Sequence, residues 1–192
     1  VYINLQQKIQ HTSCTVFATY GMTETITHVA VKKLNKFKSI SSGEIETSYY
    51  EVLPDIEIYK DQRDCLVIRA SKISNNSVFT NDIVRLISDN QFEWLGRFDT
   101  VINSGGVKLH PERIEEKLSK GITTRFFLAG IPDSILGEQL ILVVEGAFQA
   151  IDTTRLNLSK FEIPKQIYFV DEFAQTPTKK IARKKTLALL SF

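Results

Sequence analysis

Hydrophobic and polar positions alternate through much of the first half of the chain. Ile56 and Ile58 alternate with Glu57 and Tyr59, the period-two pattern of a half-buried strand. Cys65-Leu66-Val67-Ile68 is a short apolar run. Residues 83–87 and 92–95 are two more apolar stretches, separated by the polar turn Ser88-Asp89-Asn90. Residues 15–19 read as a strand leading into a loop at Tyr20. Short strands with turn signals between them predict an antiparallel sheet or small barrel over most of residues 43–94. The opening differs: Leu5 and Ile9 lie four apart, so residues 4–10 read as the end of a helix.

The pattern changes after Gly96, a plausible break. Val101-Ile102 leads to the turn Ser104-Gly105-Gly106. Pro111 suits the first turn of a helix, and Glu112, Glu115 and Glu116 favour its positive end. Ile114 and Leu118 give that helix an apolar face. Residues 125–129, 139–145 and 166–170 read as strands, 154–159 as a short helix and 184–190 as a terminal helix. The expectation is a strand-rich, barrel-like unit over residues 1–96, followed by a small α+β unit over 97–192.

The chain has 192 residues, 43% hydrophobic and 24% charged, enough apolar material for a sizeable core. A net charge of +2 is too small to argue for nucleic acid or a membrane surface as partner. No cationic-then-apolar leader and no apolar run near membrane-spanning length is visible, so a cytoplasmic location is expected. Cys14 and Cys65 stand far apart and read as reduced thiols. His11, His28 and His110 share no metal-ligand spacing.

Three segments carry the candidate chemistry. The first is Tyr20-Gly21-Met22-Thr23-Glu24-Thr25. Its glycine lets backbone approach a ligand closely, its tyrosine offers a ring face, and its glutamate is a hard oxygen ligand of the kind magnesium takes. A strand-end turn with an aromatic plug fits the same residues. The second runs from Gly96-Arg97-Phe98-Asp99 through Gly105-Gly106 to Pro111-Glu112-Arg113-Ile114-Glu115. The third is Thr176-Pro177-Thr178-Lys179-Lys180-Ile181-Ala182-Arg183. Their order and spacing resemble the adenylate-forming, AMP-binding family of acyl- and aryl-CoA synthetases, and the resemblance covers nearly the whole chain.

That resemblance implies roles. Tyr20, Gly21, Thr23 and Glu24 would serve adenine, phosphate and magnesium. Thr80-Asn81-Asp82 takes the place of the family's Thr-Gly-Asp, and Asp82 would accept the ribose hydroxyls. Asn tolerates the left-handed conformation better than most residues, which would preserve a turn there. Arg97 would contact ribose or phosphate, and Asp99 would be the hinge of a mobile C-terminal domain. Gly105 and Gly106 would border the pantetheine of CoA; a tight strand-to-strand turn fits them equally. Lys180 would be the catalytic lysine of adenylation, with Lys179 standing where the family has glycine and remaining a competitor. His28 reads as a structural residue, with an acyl-pocket role as its alternative.

The substrates implied are a carboxylic acid, ATP with Mg2+, and CoA. Only nineteen residues precede Tyr20, and the family's phosphate loop normally lies further upstream. The chain is therefore expected to be the C-terminal part of a ligase, inactive alone, whose partner is the N-terminal part of the same enzyme. The segments around Tyr20 and Gly105 are most similar to bacterial o-succinylbenzoate–CoA ligases of menaquinone synthesis. Another acyl- or aryl-CoA ligase, and a binding module that keeps the fold without the chemistry, stay open.

Overall fold

The computed structural model describes residues 8–26, 28–36, 48–152 and 156–190. The chain divides into two compact units between Asp99 and Thr100. Gly96 and Arg97 belong to the last strand of the first unit, where they pair with Ile83 and Asp82. Of the expected helical segment 4–10, residues 4–7 lie outside the described residues, and only Lys8 and Ile9 are helical among those described.

The first unit is a seven-stranded sheet in the order β1-β2-β3-β7-β6-β5-β4, with every pairing antiparallel. Its strands are β1 (Phe17–Gly21), β2 (His28–Lys33), β3 (Tyr50–Val52), β4 (Glu57–Lys60), β5 (Cys65–Arg69), β6 (Val78–Ser88) and β7 (Gln91–Arg97). The run Cys65-Leu66-Val67-Ile68 is fully buried, which is why it lacks the alternation of its neighbours. Its core gathers Val29, Ala30, Val52, Leu66, Ile68, Val84 and Phe92. Asn35 is wholly buried, and its amide is satisfied by local backbone. Its Nδ2 donates to the carbonyls of Ile9 and Cys14, and its Oδ1 accepts from Val16 N–H at 2.8 Å. That knot fixes the approach of the chain into β1.

The second unit is a five-stranded sheet: β8 (Ile102–Ser104), β9 (Val107–Leu109), β10 (Phe126–Asp133), β11 (Gly137–Glu145) and β12 (Gln166–Val170). Strand β12 runs parallel to β11; the other pairings are antiparallel. Helix α1 (Pro111–Leu118) and the short α2 (Arg183–Leu187) complete it. Alternate residues of β10 and β11 feed two cores. Leu128, Leu140, Leu142 and Val144 pack with Ile114 and Leu118 of α1 on one face. Phe127, Ala129, Ile131, Ile141 and Val143 pack with Phe173, Ile181 and Leu187 on the other. The segment bearing Lys180 is thus seated on the second face through its apolar neighbours.

Several expectations need correction. Residues 153–155 lie outside the described residues, and 156–159 form no helix, with Asn157 at φ 49°. The terminal helix is Arg183–Leu187 rather than residues 184–190. Glu112 alone of the three glutamates lies in the first turn of α1; the helix starts at Pro111, so Glu115 and Glu116 fall in its second turn. Glu112 accepts from Thr100 Oγ1 at 2.8 Å.

Candidate active site

In the first unit, the candidate residues cluster around Asp82. Tyr20 and Gly21 are the last residues of β1, not a loop, and pair with Ala30 and His28 across an irregularity. The Tyr20 ring meets Phe92 and Tyr50 edge-on, with centroids 5.3 and 5.7 Å away. Its hydroxyl donates to Asp82 Oδ2. Burial first, then the bond to Asp82 and its charge, push the Tyr20 phenol well above its ordinary pKa.

Asp82 sits directly opposite Arg97 in the β6–β7 register, so their side chains leave the same face. Arg97 Nε lies 3.9 Å from Asp82 Oδ1 and donates to Asp99 Oδ1 at 3.1 Å. One carboxylate oxygen of Asp82 is thus held by Tyr20, and the other faces a guanidinium. Four candidates converge: Tyr20, Asp82, Arg97 and Asp99.

Residues 80–82 form no left-handed turn. They lie inside β6, and Asn81 is absent from the positive-φ positions among the described residues. Cys65 pairs with Ile83 and Val67 with Phe79, so three residues of β6 stand opposite one of β5. This is a β-bulge, a device that re-aims side chains. Within it, Thr80 Oγ1 donates to Leu66 O at 2.8 Å and accepts from Asp82 N–H at 3.0 Å. Asn in place of glycine is accommodated because the position demands no positive φ. Gly96, at φ 144°, marks a second irregularity across from Ile83 and Val84.

Thr23 and Glu24 are exposed on the 3-10 turn Thr23–Thr25, whose Thr25 is buried and closes the turn by accepting at Oγ1 from Met22 N–H. Ile26 follows at φ 64°, a strained conformation for a β-branched residue. No group of three or more His, Cys, Asp or Glu suited to a metal ion exists among the described residues. Glu24 is an exposed carboxylate, which would fit magnesium as one ligand beside substrate phosphates. His28 is exposed on β2.

In the second unit, Gly105 and Gly106 form the two-residue turn of the β8–β9 hairpin, at φ 57° and 80°. Positive φ at both positions is the primed hairpin turn that glycine serves. Gly105 N–H donates to Leu136 O at 2.9 Å, and Asn103 N–H to Glu138 Oε2 at 2.8 Å. The turn is thereby fixed to the start of β11.

Lys180 follows a tight loop. Thr176 N–H donates to Lys180 O at 2.8 Å and Lys179 N–H to Thr176 O at 2.9 Å, with Gln175 and Ile181 bridged outside them. This is a three-residue hairpin whose last residue is left-handed. That residue is Lys179, at φ 60°. Lys180 itself is exposed. Arg183 is the last residue of this motif. In the structure it ties the segment down: Nη2 donates to Glu115 Oε2 at 2.9 Å, and its cation lies over the Phe127 ring at 5.6 Å. Nothing in the spacing of Glu115 and Arg183 announced the pair.

No family model matches this chain. A 3-oxocholest-4-en-26-oate–CoA ligase of Rhodococcus rhodochrous is 32% identical over 107 residues, covering 52% of this chain and 19% of the relative. A medium/long-chain-fatty-acid–CoA/3-oxocholest-4-en-26-oate–CoA ligase of Mycobacterium tuberculosis is 28% identical over 131 residues, covering 64% of this chain and 24% of the relative. An o-succinylbenzoate coenzyme A synthetase from Bacillus subtilis, solved with ATP and magnesium, superposes with a TM-score of 0.75 at 16% identity. That superposition covers 97% of this chain and 44% of the solved one. The similar sequences and folds are thus AMP-forming acyl- and aryl-CoA synthetases. The strand-rich fold with few helices is shared with the matched part of the Bacillus subtilis synthetase. The chain spans less than a quarter of the length of these two curated relatives.

Proposed function

We propose that this chain forms the C-terminal part of an AMP-forming acid–CoA ligase. The first unit, to Asp99, would end the large nucleotide-binding domain, and the second, from Thr100, would be the small domain that turns about Asp99. The observation that carries the reading is the convergence of Tyr20, Asp82 and Arg97 on one face of the sheet. A buried-side carboxylate with one oxygen held and the other beside a cation suits a ribose diol. Glu24 would supply one oxygen to magnesium, which neutralises phosphate charge when bound, and Thr23 would contact phosphate.

Lys180 would place an ammonium against charge developing as the carboxylate attacks the α-phosphate and pyrophosphate leaves. The lysine stands on a hairpin held by Ile181 and Arg183, so its backbone is fixed while its side chain is free to reach. Gly105-Gly106 would border CoA when its thiol displaces AMP from the acyl-adenylate.

For the acid, the segments around Tyr20 and Gly105 support o-succinylbenzoate. The identity to fatty-acid and steroid-acid ligases supports a longer aliphatic or steroid acid instead. Pyrophosphate exchange into ATP by the full-length enzyme, with o-succinylbenzoate, medium-chain fatty acids and 3-oxocholest-4-en-26-oate in parallel, separates them. Highest turnover with o-succinylbenzoate supports the first; equal or higher turnover with the others replaces it. This chain alone is expected to stay at background with every acid, and acid-dependent turnover by it overturns the reading of its organisation.

A further inference from the structure

We infer that Arg63 is a positioning residue that holds the Asp82 bulge in the shape needed to grip ribose. The inference rests on the nucleotide reading above. The bulge at residues 80–82 takes backbone out of the regular ladder and leaves polar groups to be satisfied elsewhere. Arg63, on the β4–β5 turn, reaches across to them. Its Nη2 donates to Thr80 O at 3.1 Å and its Nη1 to Asn81 Oδ1 at 3.1 Å. The guanidinium is itself aimed by Asp61, which accepts from Nε at 2.9 Å and lies 2.8 Å from Nη2. Asp61 is fixed in turn by accepting the N–H groups of Arg63 and Cys65 at 2.8 and 3.0 Å.

The same cation lies 5.3 Å from the centroid of the Phe98 ring, a cation–π distance. Phe98 stands between Arg97 and Asp99. One planar fork therefore touches both strands that present the nucleotide groups: β6 just before Asp82, and the exit of β7 just after Arg97. A lysine cannot reproduce this, because it offers no fixed fork of donors. Asn81 supplies the acceptor that a glycine at this position would lack, which gives its side chain a use. Arg63 is exposed and belongs to none of the core clusters, so its contacts shape the bulge rather than support the fold.

The test uses the full-length ligase, with AMP and 2′,3′-dideoxy-AMP as probes in titration calorimetry. The wild type is expected to favour AMP over the dideoxy analogue through the Asp82 carboxylate. Arg63→Gln, Arg63→Lys and Asn81→Ala should each shrink that preference, the arginine variants by about three- to tenfold. Affinity for the dideoxy analogue and the thermal midpoint should stay near wild type, a pattern that general destabilisation does not give. If the wild type prefers AMP and the variants keep that preference in full, the role of Arg63 is overturned and the nucleotide reading stands. If the wild type shows no preference between the probes, the ribose role of Asp82 fails and this inference fails with it. A loss of affinity for both probes alike, with a lowered midpoint, makes Arg63 a structural residue and overturns the proposal.

Discussion

Arg183 donates from Nη2 to Glu115 Oε2 at 2.9 Å, while Glu115 Oε1 accepts the N–H of Leu128 at 2.8 Å. The two side chains together cap the open side of β10, an edge strand. Burial raises the Glu115 carboxyl above its ordinary pKa, and Arg183 and the Leu128 N–H only partly offset it. Folding therefore favours the protonated form. That contribution is whole below about pH 4 and is lost as pH climbs through the raised value. Against Glu115→Gln, the wild type should lose relative stability as pH rises from about 4 to 8. Arg183→Leu should make that fall steeper and cost about 1–3 kcal/mol at neutral pH, below the range for deeply buried pairs because both groups keep some solvent. Urea unfolding of the three proteins at several pH values reads both effects. A flat difference between wild type and Glu115→Gln refutes the assignment.

Tyr20 has the same sign of dependence at the other end of the scale. Burial and then Asp82 hold its phenol above its ordinary value. Stability from the neutral phenol is whole below about pH 10 and is lost above it as the unfolded chain ionises first. Tyr20→Phe should cost about 0.5–1.5 kcal/mol at pH 8, since Asp82 loses a donor. It should then lose less stability than the wild type between about pH 10 and 12. Denaturant midpoints at stepped alkaline pH check this, and parallel curves for the two proteins count against a buried Tyr20–Asp82 bond.

Elements whose signal lies within a few residues were legible in the sequence. The alternation at Ile56 to Tyr59 and the apolar run at Cys65 to Ile68 became β4 and β5, because a half-buried strand alternates and a strand buried on both faces runs apolar, both within a few residues. Pro111 opened α1 for an equally local reason. What the sequence hid depends on distant partners. The bulge before Asp82 is satisfied by Arg63, and Glu115 is spent on Arg183 rather than on the helix end; neither pairing has a spacing rule. The candidate residues were named one by one, yet their grouping of Tyr20 with Asp82 and Arg97 required the strand order β1-β2-β3-β7-β6. No composition or periodicity gives that order.

The hairpin at Gly105 and Gly106 separates backbone cost from contact cost. A Cβ on Gly106 would meet nothing within 4 Å, whereas one on Gly105 would lie 3.2 Å from Leu136 Cδ2. Gly106→Ala should cost about 1–2 kcal/mol through its left-handed backbone alone. Gly105→Ala should cost more, by the adjustment of Leu136, and Gly105→Asn less than an alanine of equal crowding, because Asn enters this conformation readily. Thermal unfolding of the three variants orders them. In the full-length ligase, Gly106→Val should slow thioester formation and spare adenylation if the turn borders CoA; a slowing of adenylation alone contradicts that role.

Lys179 and Lys180 are adjacent lysines that differ in backbone conformation. Lys179 holds φ 60° and its N–H closes the turn to Thr176 O, a conformation that costs an L-residue roughly 1–2 kcal/mol. Lys179→Gly should relieve that strain, less the extra freedom glycine gains when unfolded, for a net rise of up to about 1 kcal/mol. Lys179→Ala should change little, since alanine is strained in the same way. Lys180→Ala should leave stability within about 0.5 kcal/mol, because its side chain is exposed and its backbone bonds to Thr176 survive the change. In the full-length ligase the order reverses. Lys180→Ala should slow adenylation by about two to three orders of magnitude, the scale of a lost preorganised charge worth about 3–4 kcal/mol, while pre-formed acyl-adenylate still passes to CoA. Lys179→Gly should keep adenylation near wild type. Stability is read by denaturant unfolding and the two half-reactions by rapid quench. If Lys179→Ala carries the adenylation defect and Lys180→Ala does not, the working ammonium belongs to the strained residue.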